Sequence, residues 1–169
     1  MSESTDVGKQ ARARVTEPAV WQVLSTIADP EIPTLSVVDL GVVRRVRIER
    51  DAIVVELMPT FLGCPALSSM RDVIVERVGA LAPTRVELVR DQAWTSDRIT
   101  EEGRRRLRAS GFAPPARGDV LALPILPLAE CPYCGSRDTV LESPFGPTAC
   151  RAIHYCATCR QPFEQFKAV

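Results

Sequence analysis

The sequence lacks the features that mark several classes of protein. Its first residues contain no apolar stretch of the kind found in secretory signals, and no run approaches the roughly eighteen apolar residues that a membrane span needs. An excess of one charge is also missing, since Lys plus Arg and Asp plus Glu number 21 each. We therefore expect a cytoplasmic protein that does not bind membranes and has no long-range field to attract nucleic acid.

Aromatic residues and histidine are scarce as well. Five Phe, two Trp and two Tyr stand in a chain of 169 residues that is 46% hydrophobic, so we expect a mainly aliphatic core. The single histidine is His154, near the C-terminus. Because a cysteine nucleophile usually needs a histidine base, the sequence does not favour a Cys-His hydrolase. The length suits one ordinary domain plus a small accessory domain.

Four of the six cysteines form two Cys-x-x-Cys pairs in the C-terminal region. Two such turns offer four soft ligands in a tetrahedron, as in the closed zinc site of a zinc ribbon. Disulfides are unfavourable in a reducing compartment, and prolines and glycines near the first pair argue against a thioredoxin-like motif. Tetrahedral sulfur accepts zinc or iron, so the metal stays open. The predicted ligands are Cys131, Cys134, Cys156 and Cys159.

Hydrophobic periodicity predicts an α+β fold: a small two-layer domain with helices on a three-stranded sheet, then a C-terminal β zinc ribbon. Helices are expected over 17–28, 65–81 and 101–109, with strands over 42–49, 53–59 and 84–90, the first two as a hairpin. We expect a disordered tail over 1–15, a first domain over 16–112, a linker over 113–128 and the ribbon over 129–169.

A further cysteine, Cys64, lies between the second strand and the second helix. Pro65 suits a first helical position, which makes Cys64 the N-cap, where free N–H groups and the helix dipole favour a thiolate. Thr60 could donate a hydrogen bond to this sulfur. The alternative is that Cys64 is a small apolar core residue. Asp39, two residues before Gly41, is either a turn residue whose side chain bonds the backbone or a carboxylate beside Cys64.

One run of basic residues favours nucleic-acid binding, a function that some ribbons have. Residues 104–108 read Arg-Arg-Arg-Leu-Arg and follow Glu101 and Glu102. Nucleic-acid binding needs a broad basic face, which the neutral chain does not offer. We expect these arginines to form a solvated face that meets an acidic partner.

Four short motifs follow one another in the first half of the chain. Asp29-Pro-Glu-Ile-Pro33, Ser36-Val-Val-Asp39-Leu-Gly41, Pro59-Thr60 and Gly63-Cys64-Pro65 lie within residues 17 to 91. They resemble the metal-sulfur cluster biosynthesis domain of small iron–sulfur assembly factors. Trp94 to Gly103, Glu142 to Cys150 and Pro162 to Lys167 are similar to the D-protein family of the bacterial phenylacetate degradation pathway.

The resemblance implies a non-enzymatic factor that matures or repairs metal centres of the multicomponent phenylacetyl-CoA 1,2-epoxidase. Its partners would be the reductase, which carries flavin and a [2Fe–2S] cluster, and the di-iron oxygenase subunits; which of the two is the client stays open. The alternative is a structural or regulatory subunit of the epoxidase complex.

The resemblance also assigns residues. Cys64 is the candidate ligand of a transient iron–sulfur cluster or iron, with Asp39 and Thr60 as neighbours, while the ribbon holds structural Zn²⁺. A [2Fe–2S] cluster takes four protein ligands, so Cys64 would act with a second copy of the chain, an exogenous thiol or the recipient. The roles of Cys150 and His154 stay open.

Overall fold

The computed structural model describes residues 15–60, 66–117 and 129–167. The predictions for the N-terminal tail, for Cys64 and for most of the linker lie outside these residues. The helices are α1 (Glu17–Leu24), α2 (Ala66–Gly79), α3 (Glu101–Ala109) and a 3-10 turn at Ser96–Arg98; the strands are β1 (Val43–Ile48), β2 (Ile53–Leu57), β3 (Thr84–Leu88), β4 (Phe112–Ala113), β5 (Thr139–Ser143), β6 (Arg151–Cys156) and β7 (Pro162–Phe166). No helix among them is long and apolar enough to cross a membrane.

The first sheet has the strand order β1-β2-β3. β1 and β2 form the expected antiparallel hairpin, with Ile48 opposite Ile53 across the turn. α2 then crosses over, so that β3 lies parallel to β2. β2 is the central strand, and four of its five residues are fully buried. Helices α1 and α2 cover it with residues such as Leu24 and Ile74. The predicted α+β architecture of this domain is confirmed.

Helix α1 is shorter than the expected span 17–28, since it ends at Leu24. The hydroxyls of Ser25 and Thr26 donate to the carbonyls of Gln22 and Val23, each three residues earlier. Such local bonds offer the backbone an alternative to the helix. The apolar stripe nevertheless continues beyond the helix, because Ile27 is buried in the same core.

The second sheet contains the ribbon and one strand from outside it, in the order β4-β7-β6-β5. β5, β6 and β7 pair antiparallel, whereas β4 pairs parallel to β7 through Phe112–Glu164 and Ala113–Gln165. The expected boundary between domain and linker at 112/113 therefore falls inside a strand. Ala113 belongs to the ribbon sheet because its backbone continues the ladder of β7.

The ribbon packs against the first domain instead of standing apart from it. Phe166, on β7, belongs to the main core and meets Trp94 edge-on, with ring centroids 6.0 Å apart. Arg151, on β6, donates to the carbonyl oxygen of Glu31 and lies over the ring of Phe112, 5.1 Å from its centroid. Side chains of the two units thus share one hydrophobic core.

Candidate metal centre and motif loops

The two Cys-x-x-Cys pairs lie in turns with the same backbone hydrogen bond. The N–H of Gly135 donates to the carbonyl of Cys131, and the N–H of Arg160 donates to the carbonyl of Cys156. Gly135 and Arg160 both have positive φ, at 74° and 59°. Each turn therefore closes directly after its second cysteine, which directs both thiols of a pair to the same side.

The four sulfur atoms form one cluster, in which every pair lies within 4.8 Å. Cys131 and Cys159 are 3.6 Å apart, as are Cys134 and Cys156. Zinc bonded to sulfur at about 2.3 Å in a tetrahedron places sulfurs about 3.8 Å apart, whereas a disulfide bond is about 2.05 Å long. The donor set fits a closed tetrathiolate metal site, with these four residues as its ligands, and does not contain a disulfide.

Protons and the metal compete for these sulfurs. Backbone N–H groups of Cys159 and Thr158 donate to Cys156, and they lower the pKa of its thiol to about 7. Burial raises the pKa of Cys159 to about 12. Metal binding needs thiolates, so loading the site must displace protons from the less acidic thiols. Binding is expected to weaken as the pH falls below neutral.

Asp39, a predicted site residue, is buried and heavily hydrogen-bonded. Its Oδ2 accepts from the N–H of Ser36 at 3.1 Å, from the hydroxyl of Ser36 at 2.8 Å and from Arg106 at 3.0 Å. Its Oδ1 has a longer contact, 3.4 Å from the Thr100 hydroxyl. This geometry fits a carboxylate that organises its own turn. The Ser-x-x-Asp spacing is a sequence signal for the Ser36 bond, whereas nothing in the sequence points to Arg106.

The β1–β2 hairpin brings two motif loops to the same end of the first sheet. Asp39 lies shortly before β1 begins, and Thr60 lies shortly after β2 ends. The two strands are paired at this end, where Val43 faces Leu57 and the N–H of Met58 donates to the carbonyl of Val42. Thr60 is half-buried there.

The acidic motif near residue 30 has a structural role of its own. Oδ1 of Asp29 accepts from the N–H groups of Glu31 and Ile32, at 2.9 and 2.8 Å. Burial raises the pKa of the Asp29 carboxyl, although the two N–H donors and Arg151 oppose the shift. The Asp29 turn thus holds a buried acid directly beside the contact between the ribbon and the first domain.

The arginine run forms the expected solvated face only in part: Arg105, Arg106 and Arg108 are exposed, and Arg104 is the exception. Arg104 points inward, where it donates to the carbonyls of Pro115 and Ser96. Arg106 binds Asp39, and Arg108 pairs with Glu130. Residues three or four apart on a helix share one face, but successive residues turn to different sides, so a run of like residues is distributed around α3. This part of the chain offers no continuous basic face.

Cys150 and His154 lie outside the sulfur quartet. Cys150 is half-buried against the first domain, 3.1 Å from the Thr148 hydroxyl. His154 is buried and stacks on Phe163, with ring centroids 5.5 Å apart. Burial lowers the pKa of His154, an effect that Gln165 opposes, and its ring nitrogens make no hydrogen bond of good geometry with the described residues. Packing is the role that the structure shows for both residues.

Two family models match separate parts of the chain. "Iron-sulfur cluster assembly protein" matches residues 17–90, and "PaaD zinc beta ribbon domain" matches residues 127–167. The second match contains all four cysteines of the quartet. Residues 91–126, which include α3 and β4, lie between the two matches.

The first domain also resembles shorter proteins. A domain of unknown function from Bacillus anthracis, solved by crystallography, is 24% identical with a TM-score of 0.46, covering 54% of this chain and 90% of that one. The "Fe-S protein maturation auxiliary factor" of Porphyromonas gingivalis (strain ATCC BAA-308 / W83) is 32% identical over 91 residues, which are 52% of this chain and 86% of that protein.

A further relative matches almost from end to end. The D component of the "Putative 1,2-phenylacetyl-CoA epoxidase" of Escherichia coli (strain K12) is 41% identical over 165 residues, 95% of this chain and 99% of that protein. This coverage includes the first domain, α3, β4 and the ribbon. The chain therefore belongs to the family of this D component of the epoxidase, in which an iron–sulfur assembly domain is joined to a zinc ribbon.

Proposed function

We propose that this protein is a non-enzymatic accessory factor that matures metal centres of phenylacetyl-CoA 1,2-epoxidase. In this proposal Cys64 carries iron or a transient iron–sulfur cluster, with Asp39 and Thr60 beside it. The ribbon quartet holds a structural zinc ion and does not exchange it during delivery. The clients are the cluster of the reductase or the di-iron centre of the oxygenase.

The family relationships support both halves of the proposal. The name of the Porphyromonas gingivalis relative describes a maturation factor for iron–sulfur proteins, and its match spans about half of this chain. The name of the Escherichia coli relative places that protein with an epoxidase. Together they favour an accessory protein that serves one oxygenase system.

The observation that carries the proposal is the meeting of two motif loops at one end of the first sheet. Asp39 precedes β1 and Thr60 follows β2 at this end, and Cys64 is only four residues further along the chain. A chain of four residues spans at most about 14 Å, so the Cα of Cys64 lies no further than this from the Cα of Thr60. A thiolate and a carboxylate are suitable ligands for iron, and the Thr60 hydroxyl can donate a hydrogen bond to the sulfur.

Histidine chemistry gives no support to an enzymatic alternative. His154 is buried in the ribbon sheet and stacked on Phe163, so its ring is engaged in packing. A thiolate that holds metal needs no such base, whereas a cysteine nucleophile usually does. The residues present therefore suit metal carriage better than covalent catalysis.

The test is the metal content of anaerobically purified protein. We expect iron, with or without acid-labile sulfide, in addition to one zinc per chain. Cys64→Ala should lose the iron and keep the zinc. Cys150→Ala is the matched control, because Cys150 is also a cysteine outside the quartet; it should keep both metals. Equal iron in the wild type and in Cys64→Ala would exclude metal carriage by this residue.

A stoichiometric subunit of the epoxidase is the second candidate, favoured by the name of the Escherichia coli relative. Purification of the di-iron core separates the two functions. A subunit stays bound to the mature core in a fixed ratio, whereas a maturation factor leaves once the metal is installed. Retention of the Cys64→Ala variant in a fully active core would support the subunit.

A further inference from the structure

We propose that residues 94–106 couple the metal site of the ribbon to the Asp39 loop, residues 36–41. We call residues 94–106 the coupling segment. It lies between the two family matches. The consequence for metal delivery rests on the proposed function: the loop beside Cys64 would hold its geometry only while the ribbon contains metal. The coupling itself is a property of the described residues and can be tested without iron.

The coupling segment binds three successive carbonyls of the Asp39 loop. The N–H of Thr100 donates to the carbonyl of Asp39 at 2.9 Å. The indole N–H of Trp94 donates to that of Leu40 at 3.0 Å, and Nε of Arg98 donates to that of Gly41, also at 3.0 Å. These three consecutive carbonyls lie in a turn, outside the helices and strands, and all three accept hydrogen bonds from one segment. The loop depends on this segment to satisfy its backbone.

An ion pair and close packing at two glycines also join the coupling segment to the Asp39 loop. Arg106 forms an ion pair with the buried carboxylate of Asp39 at 3.0 Å. A methyl group on Gly41 would come within 2.2 Å of the Arg98 carbonyl, and one on Gly103 within 2.7 Å of the Asp39 carbonyl. Two glycines therefore permit an approach that any side chain would prevent. A contact this tight transmits displacement, because packed interiors have no space to absorb it.

The other side of the coupling segment contacts the ribbon. Trp94 is 2% exposed, and its ring meets Phe166 of β7, which is also 2% exposed. The same indole donates its N–H to Leu40, so a single side chain connects β7 to the Asp39 loop. Further along, α3 leads into β4, and Phe112 of that strand pairs with Glu164 of β7.

The position of β7 depends in turn on the metal. Among the described strands β7 pairs with β4 and β6, and β6 ends at Cys156, a member of the quartet. The ribbon's own hydrophobic cluster is small and includes two of the ligand cysteines. Modules of this size usually need metal to fold. Loss of metal should therefore release Phe166 from Trp94, and with it one support of the Asp39 loop.

Hydrogen exchange of the full chain, with and without zinc, tests the coupling. We expect the amides of Leu40, Gly41 and Thr100 to exchange at least about tenfold faster after chelation of zinc. The amide of Ile53, on the central strand β2, is the internal control and should change less than about twofold. If the ribbon amides lose protection while the three loop amides keep theirs, the coupling does not exist.

Two variants locate the coupling at the Trp94–Phe166 contact. Phe166→Leu with zinc bound should speed exchange of the loop amides about three- to tenfold, the range that an aromatic pair contributes. Phe145→Leu is the matched control, since Phe145 is also a ribbon phenylalanine but is 71% exposed; it should have no effect. Trp94→Phe removes the indole donor within the coupling segment and should speed loop exchange without loss of zinc. Unchanged loop exchange in Trp94→Phe and in zinc-bound Phe166→Leu would overturn the proposal.

These results do not depend on the proposed function. Cys64→Ala should show the same response to chelation as the wild type, because the contacts that carry the coupling are made by other residues. Failure of metal carriage appears in the iron content of that variant, and failure of coupling appears in amide exchange.

Discussion

Gly103→Ala provides a sharp test of the contact between α3 and the Asp39 loop. Gly103 lies in the first turn of α3, where alanine normally stabilises a helix by about 1 kcal/mol relative to glycine. Here the added methyl would lie 2.7 Å from the carbonyl oxygen of Asp39 and 3.1 Å from a methyl of Ile99. The helix and the loop must separate by about 0.7 Å to reach an ordinary contact of 3.4 Å.

That separation weakens the bond from the Thr100 N–H to the same carbonyl, now 2.9 Å long. Overpacking a tight contact costs about 1–3 kcal/mol, and the helix gain offsets part of it. We expect the free energy of unfolding of Gly103→Ala to fall by up to about 2 kcal/mol in urea, with zinc bound.

Gly79→Ala is the matched control. Gly79 ends α2, and a methyl there would meet no atom of the described residues within 4 Å. The same substitution in a helix should therefore raise the free energy of unfolding, by up to about 1 kcal/mol. If Gly103→Ala proved as stable as Gly79→Ala, the close packing of α3 on the loop would be refuted.

Two further predictions concern a buried acid and the metal quartet. Burial raises the pKa of Asp29, so this group contributes most to stability when protonated, and its contribution is lost as the pH rises above its ordinary value of 3.8. Asp29→Asn keeps an oxygen that can accept from the N–H groups of Glu31 and Ile32. Its free energy of unfolding in urea at pH 7 should therefore equal or exceed that of the wild type, and the difference should shrink toward pH 4. Cys131→Ser should lose the zinc and the amide protection of β5 to β7 while β1 and β2 stay protected, whereas Cys150→Ser should keep both, as measured by metal analysis and hydrogen exchange.

Each of these two predictions has a measurable outcome that would contradict it. A stability difference between Asp29→Asn and the wild type that does not vary with pH would mean that the carboxyl has an ordinary pKa in the folded protein. Undiminished amide protection in the ribbon of Cys131→Ser, without zinc, would show that the ribbon folds without metal.

The sequence predicted the local elements of the fold well, because their signals are local. Alternating apolar residues placed the β1–β2 hairpin, and the bounds of α3 agree with the expected span 101–109. Gly111, just after the helix, has a φ of 82°, the left-handed conformation in which glycine commonly ends a helix. The cysteine spacing predicted the quartet, since a short turn fixes both thiols of each pair.

Contacts between distant parts of the chain were not predictable in this way. Trp94 and Phe166 are 72 positions apart, and neither residue carries a local signal for the other. The carboxylate of Asp39 likewise finds Arg106 on a helix that follows the whole first sheet. The inward position of Arg104 was not predictable either, because charge alone does not show which residue of a helix turns inward.

Strand β4 also determines how the two halves of the chain can be separated. In a fragment that begins after Ala113, β7 would be an edge strand with unpaired N–H and C=O groups. An exposed edge strand can pair with another extended chain, including a second copy of the fragment. An isolated ribbon should therefore self-associate even with its metal in place, whereas a fragment that retains Phe112 and Ala113 should stay monomeric at higher concentration.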